Sequence, residues 1–154
     1  MKAFRVTTRR DEHGAAAVEF GLVLLPLLYL VLGIIQYGVY FWSMNSGSNA
    51  VGDAVRRMSV GDCQTATERQ HFLYVRLGQA TTSSESQIST TVEYLKQDGS
   101  AASAAEIGGT VRLTATYNAP YFRFPFIPVP DSGSVTRSFD ARVEATEAHT
   151  GGCS

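Results

Sequence analysis

The chain has 154 residues, 44% hydrophobic and 18% charged, with a formal net charge of −1. That balance suits one modest domain plus an anchor, and it lacks the basic surface a nucleic-acid partner would require. The charges are unevenly placed: Lys2, Arg5, Arg9 and Arg10 precede a long apolar run and are only partly offset by Asp11 and Glu12. Basic residues stay on the cytoplasmic side of a membrane, so the N-terminus is predicted inside and the bulk of the chain outside.

Residues 20–42 carry no formal charge. A helix of that length reaches roughly 34 Å, enough to cross a bilayer core. The run ends in Tyr37, Tyr40, Phe41 and Trp42, the composition of an aromatic belt at the outer interface. A cleaved secretory signal also has a basic start, and Ser48-Asn49-Ala50 mimics a cut site, but its apolar core is shorter than this one. A retained helix fits better. Pro26 removes one backbone hydrogen bond and is expected to kink it. Ala17 with Gly21, and Gly33 and Gly38, lower its profile so that another helix can approach, although such residues are common in any membrane helix. Met44, Val51, Val55 and Met58 then recur at helical spacing, so the helix is predicted from about Ala15 to Val60, with Gly61 as its C-cap. It is expected to be weakest near Ser46-Gly47, inside a polar run of poor helix formers.

Glu19 is the one carboxylate at the mouth of the apolar run. A charge beside hydrocarbon is costly and usually has a partner, unless it sits at the headgroup boundary and reaches water. The segment Gly14-Ala-Ala-Ala-Val-Glu19-Phe20, preceded by Arg9-Arg10, resembles the processing site of type IV prepilins. Its continuation through Pro26 to Leu28 is similar to the opening of TadE-like proteins of the tight-adherence (Tad/Flp) pilus system. Asn49 to Arg57 resembles that family's amphipathic continuation, and Arg137 to Glu144 resembles its closing strand. The resemblance is strong over about 45 residues and loose elsewhere. It implies a leader at 1–14, cleaved between Gly14 and Ala15 by a prepilin peptidase at the cytoplasmic face of the inner membrane. It further implies that Glu19, followed by Phe20, pairs with the new amine of a neighbouring subunit and sets assembly register. Other Tad subunits and inner-membrane platform proteins are the implied partners. A major pilin of this system would be much shorter, so the outer residues favour a minor, priming or tip role.

Cys63 and Cys153 both fall on the predicted outer side, where an oxidising compartment lets them pair. Such a bond would close a loop of about 90 residues, worth on the order of 4 kcal/mol in the chain-entropy account. Two unpaired thiols are the alternative. His13, His71 and His149 show no metal-ligand spacing, and no metal or cofactor is expected.

Residues 61–154 read as a small extracytoplasmic domain. Thr65-Ala66-Thr67-Glu68 is a capping-box pattern opening a short helix that Gly78 ends, with Phe72, Val75, Leu73 and Leu77 toward the core. Alternation predicts three strands, through Ile88, Thr90, Val92 and Tyr94, through Val111, Leu113, Ala115 and Tyr117, and through Val135, Phe139, Ala141, Val143 and Ala145, the last with a bulge. Lys96 to Gly109 reads as a flexible connection. The predicted fold class is α+β: a long transmembrane helix at 15–60 continuing into a short helix and an antiparallel meander of three or more strands.

Between the second and third strands, Pro120, Pro125, Pro128 and Pro130 forbid regular structure around Tyr121, Phe122, Phe124 and Phe126. The aromatics either fold back on the core or form a contact loop for a pilus protein or a membrane surface, with Phe122, Phe124 and Phe126 as contact residues. No phosphate loop, HExxH or G-x-S-x-G occurs, and Glu93, Asp98 and Glu106 read as solvated charges, so no catalytic residue is assigned and no enzyme is expected. The leading reading is a pilin-like subunit. A single-pass anchored binding module and a secretion-system pseudopilin remain as alternatives.

Overall fold

The computed structural model describes residues 11–124, 126–147 and Cys153, with side chains from Gly14 onward. The basic leader residues, Pro125 and His149 lie outside the described residues. The chain divides into two compact units, one ending at Ile35 and one running from Gln36 to the C-terminus.

Helix α1 spans Asp11–Ser59 and helix α2 spans Ala66–Leu77. Four strands follow: β1 (Ser89–Leu95), β2 (Ala101–Ala102), β3 (Thr110–Asn118) and β4 (Ser134–Arg142). They form one antiparallel sheet in the order β2-β1-β3-β4. The fold is α+β, as the patterning predicts.

Helix α1 already includes Asp11, ahead of the expected Ala15, because one glycine at position 14 costs only about 1 kcal/mol in so long a helix. It ends as expected. The Asp62 amide donates to Arg57 O at 3.0 Å and the Gly61 amide to Met58 O at 3.2 Å. This is the double bond of a Schellman stop, and Gly61 takes the positive φ of 93° that the stop demands.

The expected weakness near Ser46-Gly47 is absent, and helical geometry is continuous through it. The polar run serves as a docking stripe instead. Tyr40, Ser43, Gly47, Ala50, Val51, Ala54, Val55 and Met58 are buried at helical spacing. A Cβ on Gly47 would overlap the Tyr117 hydroxyl. That hydroxyl donates to Ser43 O at 2.7 Å, and Ser43 Oγ donates to Ala80 O at 2.5 Å. Tyr40 belongs to this core and not to the aromatic belt.

Helix α2 opens with the predicted capping box: Thr65 Oγ1 accepts from the Glu68 amide at 3.2 Å and Glu68 Oε2 accepts from the Thr65 amide at 3.0 Å. Gly78 ends it. Its buried side is Arg69, Phe72, Leu73 and Leu77, whereas Val75 is 62% exposed, contrary to expectation. Arg69 takes the remaining place because its guanidinium donates to Cys63 O and Gln64 O at 3.1 and 2.6 Å.

Val111, Leu113, Ala115 and Tyr117 of β3 face the core, each at most 2% exposed. The β3–β4 ladder pairs Thr110 with Arg142 through Asn118 with Ser134 without interruption, so the expected bulge does not form. Arg137 occupies the apparent gap and its Nε donates to Met44 O at 3.4 Å. The connection after β1 is also more ordered than expected. Lys96 N donates to Ser100 O at 2.8 Å, and Ala101 and Ala102 pair with Leu95 and Tyr94. On the outer face, Arg112 donates to both carboxylate oxygens of Asp140 at 2.8 and 3.0 Å. Thr114 with Ser138, and Thr116 with Thr136, continue this cross-strand ladder.

Candidate functional site

The first unit is helical from Asp11 to Ile35. A surface helix normally keeps a polar face for water. Here the residues after Glu19 are uncharged, and Phe20, Leu22, Leu25 and Ile34 are each about two-thirds exposed. Such a surface is at home in hydrocarbon or among other apolar helices. The stretch Gly14–Ser59 contains a window of mean hydropathy 2.4, long and apolar enough to cross a membrane.

Gly14 and Ala15 lie inside α1, so a peptidase that binds an extended backbone would have to unwind this turn. Gly14 is the residue in that turn with the weakest helix preference. Glu19 is exposed and makes no ion pair among the described residues. It lies four residues beyond Ala15, one helical turn away on the same face. Phe20 beside it is 67% exposed.

The second unit holds the aromatic loop and the disulfide. The loop does not fold back as a whole. Ile127 is buried and Val129 packs against the core, while Phe122 is 49% and Phe126 90% exposed. Phe124 stacks on Phe122 with ring centroids 5.5 Å apart. The turn is held from below by Gln36, which is 1% exposed and whose Oε1 accepts the Phe122 amide at 2.8 Å. Nothing in the local sequence around Gln36 signalled this, since its partner lies 86 residues on.

Cys63 and Cys153 are bonded to each other, with Cα atoms 5.1 Å apart. Beside them lies a cleft of about 470 Å³ lined by Arg57, His71, Phe72, Val75 and Arg76. The Arg57 and Arg76 guanidinium carbons stand 4.9 and 5.3 Å from the Phe72 ring centroid, in cation–π range. His71 Nδ1 is 3.3 Å from Glu85 Oε1, an exposed contact that sequence spacing had not joined. Among the described residues, no three His, Cys, Asp or Glu side chains come together as a metal would need.

The family whose model matches this chain is described as TadE-like protein, over residues 14–56. The matched segment is similar to that family. No curated protein and no solved structure matches the chain. The TadE-like match begins at Gly14 and ends at Arg56, within α1, and so takes in Gly14, Ala15, Glu19 and Phe20 together with most of the docking stripe. The sheet, the aromatic loop and both cysteines lie outside the matched residues. Along α1, helical spacing in the sequence points to Val51, Val55 and Met58 as buried but not to Ser43, Gly47, Ala50 and Ala54. Their one shared signal is small size at helical spacing.

Proposed function

We propose that this protein is a minor, pilin-like subunit of a Tad/Flp type IV pilus, held in the inner membrane with its N-terminus inside until assembly. The observation that carries this reading is the TadE-like match starting at Gly14, with a lone carboxylate five residues on and an all-apolar helix behind it. A prepilin peptidase cleaves between Gly14 and Ala15. Removing the charged leader lets the helix end enter an apolar bundle of other Tad subunits and platform proteins. Within that bundle Glu19 pairs with the Ala15 amine of a neighbour. An unpaired charge in hydrocarbon costs several kcal/mol, so a correctly staggered neighbour is selected over a misregistered one. The role is structural and needs no catalytic group.

Intact mass of protein extracted from membranes tests this. The expected wild-type chain starts at Ala15, the Gly14→Ala chain keeps its leader, and Glu19→Ala is cleaved but depleted from sheared pili. A wild-type chain that starts at Met1 would reduce the protein to a plain tether, and Glu19→Ala present in pili at the normal level would remove the register role.

A further inference from the structure

The aromatic loop is out of place as a solvent-exposed element. Phe126 is 90% and Phe122 49% exposed. The loop is also poor in hydrogen-bond donors. Pro120, Pro125, Pro128 and Pro130 have no N–H, which removes four of the twelve amides of residues 119–130. Four of the remaining amides are bonded within the chain: Ala119 to Gly133 O, Phe122 to Gln36 Oε1, Phe124 to Phe122 O, and Ile127 to Phe124 O. A backbone with few amides left for water is cheap to move into a medium that offers none.

Gln36 fixes where that medium would be met. It lies inside the uncharged run that ends at Trp42. Six helical residues separate the two, about 9 Å of rise. The Phe122 amide donates to Gln36 Oε1 at 2.8 Å and holds that end of the loop at the same level. Phe41 and Trp42, just beyond, are 59% and 48% exposed. If residues 20–42 cross the bilayer, the Phe122 end of the loop therefore sits about 9 Å to the bilayer side of Trp42, close to the outer interface. Exposed Arg123 at the tip suits an interface with phosphate headgroups.

We infer that Phe122 and Phe126 make a second membrane contact: in the membrane-resident protein, both insert into the outer interfacial layer of the bilayer that α1 spans. This rests on reading α1 as a membrane span.

The chain has a single tryptophan, Trp42, which reports on the helix. The full chain, reconstituted in phosphatidylcholine–phosphatidylglycerol vesicles carrying lipids brominated high on the acyl chain, is compared with two variants. Phe126→Trp in a Trp42→Phe background reports on the loop, and Phe139→Trp in the same background reports on β4. The loop tryptophan is expected to lose emission to the same extent as Trp42, and the β4 tryptophan to keep it. A loop tryptophan that ignores brominated lipid but is quenched by aqueous iodide, while Trp42 is lipid-quenched, overturns the inference and leaves the span intact. One that escapes both quenchers is covered by protein, which also overturns it. Escape of Trp42 itself from lipid quenching sinks the span and the inference together. Circular dichroism checks the fold of each variant, and Phe122→Trp replaces Phe126→Trp if that chain does not fold.

Discussion

Gly47 shows how much one missing atom decides. It lets Tyr117 approach the backbone of α1, reach Ser43 O, and lock the sheet to the helix. Burial pushes the Tyr117 phenol up from its ordinary value, so it stays a neutral donor there. Alanine in a helix is favoured over glycine by up to about 1 kcal/mol. At Gly47 that gain is outweighed by overpacking of about 1–3 kcal/mol, since neither the helix backbone nor a buried ring can give way. At Gly52, where a Cβ meets nothing within 4 Å, the gain stands alone. Gly47→Ala is therefore expected to lower the thermal midpoint of the full chain in detergent, and Gly52→Ala to raise it slightly. Equal shifts would show that Tyr117 does not pack there. Neither outcome is legible from composition, because a glycine in a polar run reads equally as a helix breaker or as a contact.

At the scale of elements, strong periodicity carried the reading well. The capping box, the Gly61 stop, and the alternation of Val111, Leu113, Ala115 and Tyr117 all act through neighbours in sequence. Val75 failed because the burial phase of α2 is set by Arg69, whose aliphatic stem is apolar while its head satisfies two loop carbonyls. The Arg112–Asp140 pair was invisible for another reason: register joins residues 28 apart. Its chemistry predicts a pH dependence. The Arg112 hydrogen bonds hold the Asp140 carboxyl below its ordinary 3.8, and the Thr65 bonds hold Glu68 below its ordinary 4.5. Both folded values are depressed, so their stabilisation is present above the ordinary values and is lost as pH falls through the lowered ones. Melts followed from pH 7 to pH 3 should show that loss, small because both groups are exposed. The Glu68→Gln, Asp140→Asn double variant should show a shallower slope below about pH 4.5.

For the whole molecule, the sequence separated an apolar helix from an α+β domain, but it did not show where the residues after β4 go. After β4, the Glu144 and Ala145 amides both donate to Ser59 O, at 2.8 and 3.1 Å, closing the last carbonyl of α1. Cys153 then bonds Cys63 across 90 residues. Opening that loop by Cys63→Ser with Cys153→Ser is expected to cost roughly 4 kcal/mol in the chain-entropy account, read as a lower denaturant midpoint that reductant no longer changes. A midpoint equal to wild type would show that the denatured chain gains little freedom from the cut.

The same closure has a mechanical side. Between Cys63 and Cys153 the backbone is a covalent ring, joined covalently to α1 only through Cys63. Any pull between that helix and a site on the sheet divides between the two arms of the ring. Strands cannot be drawn out one after another from a free end, so the ring resists stepwise unravelling under tension.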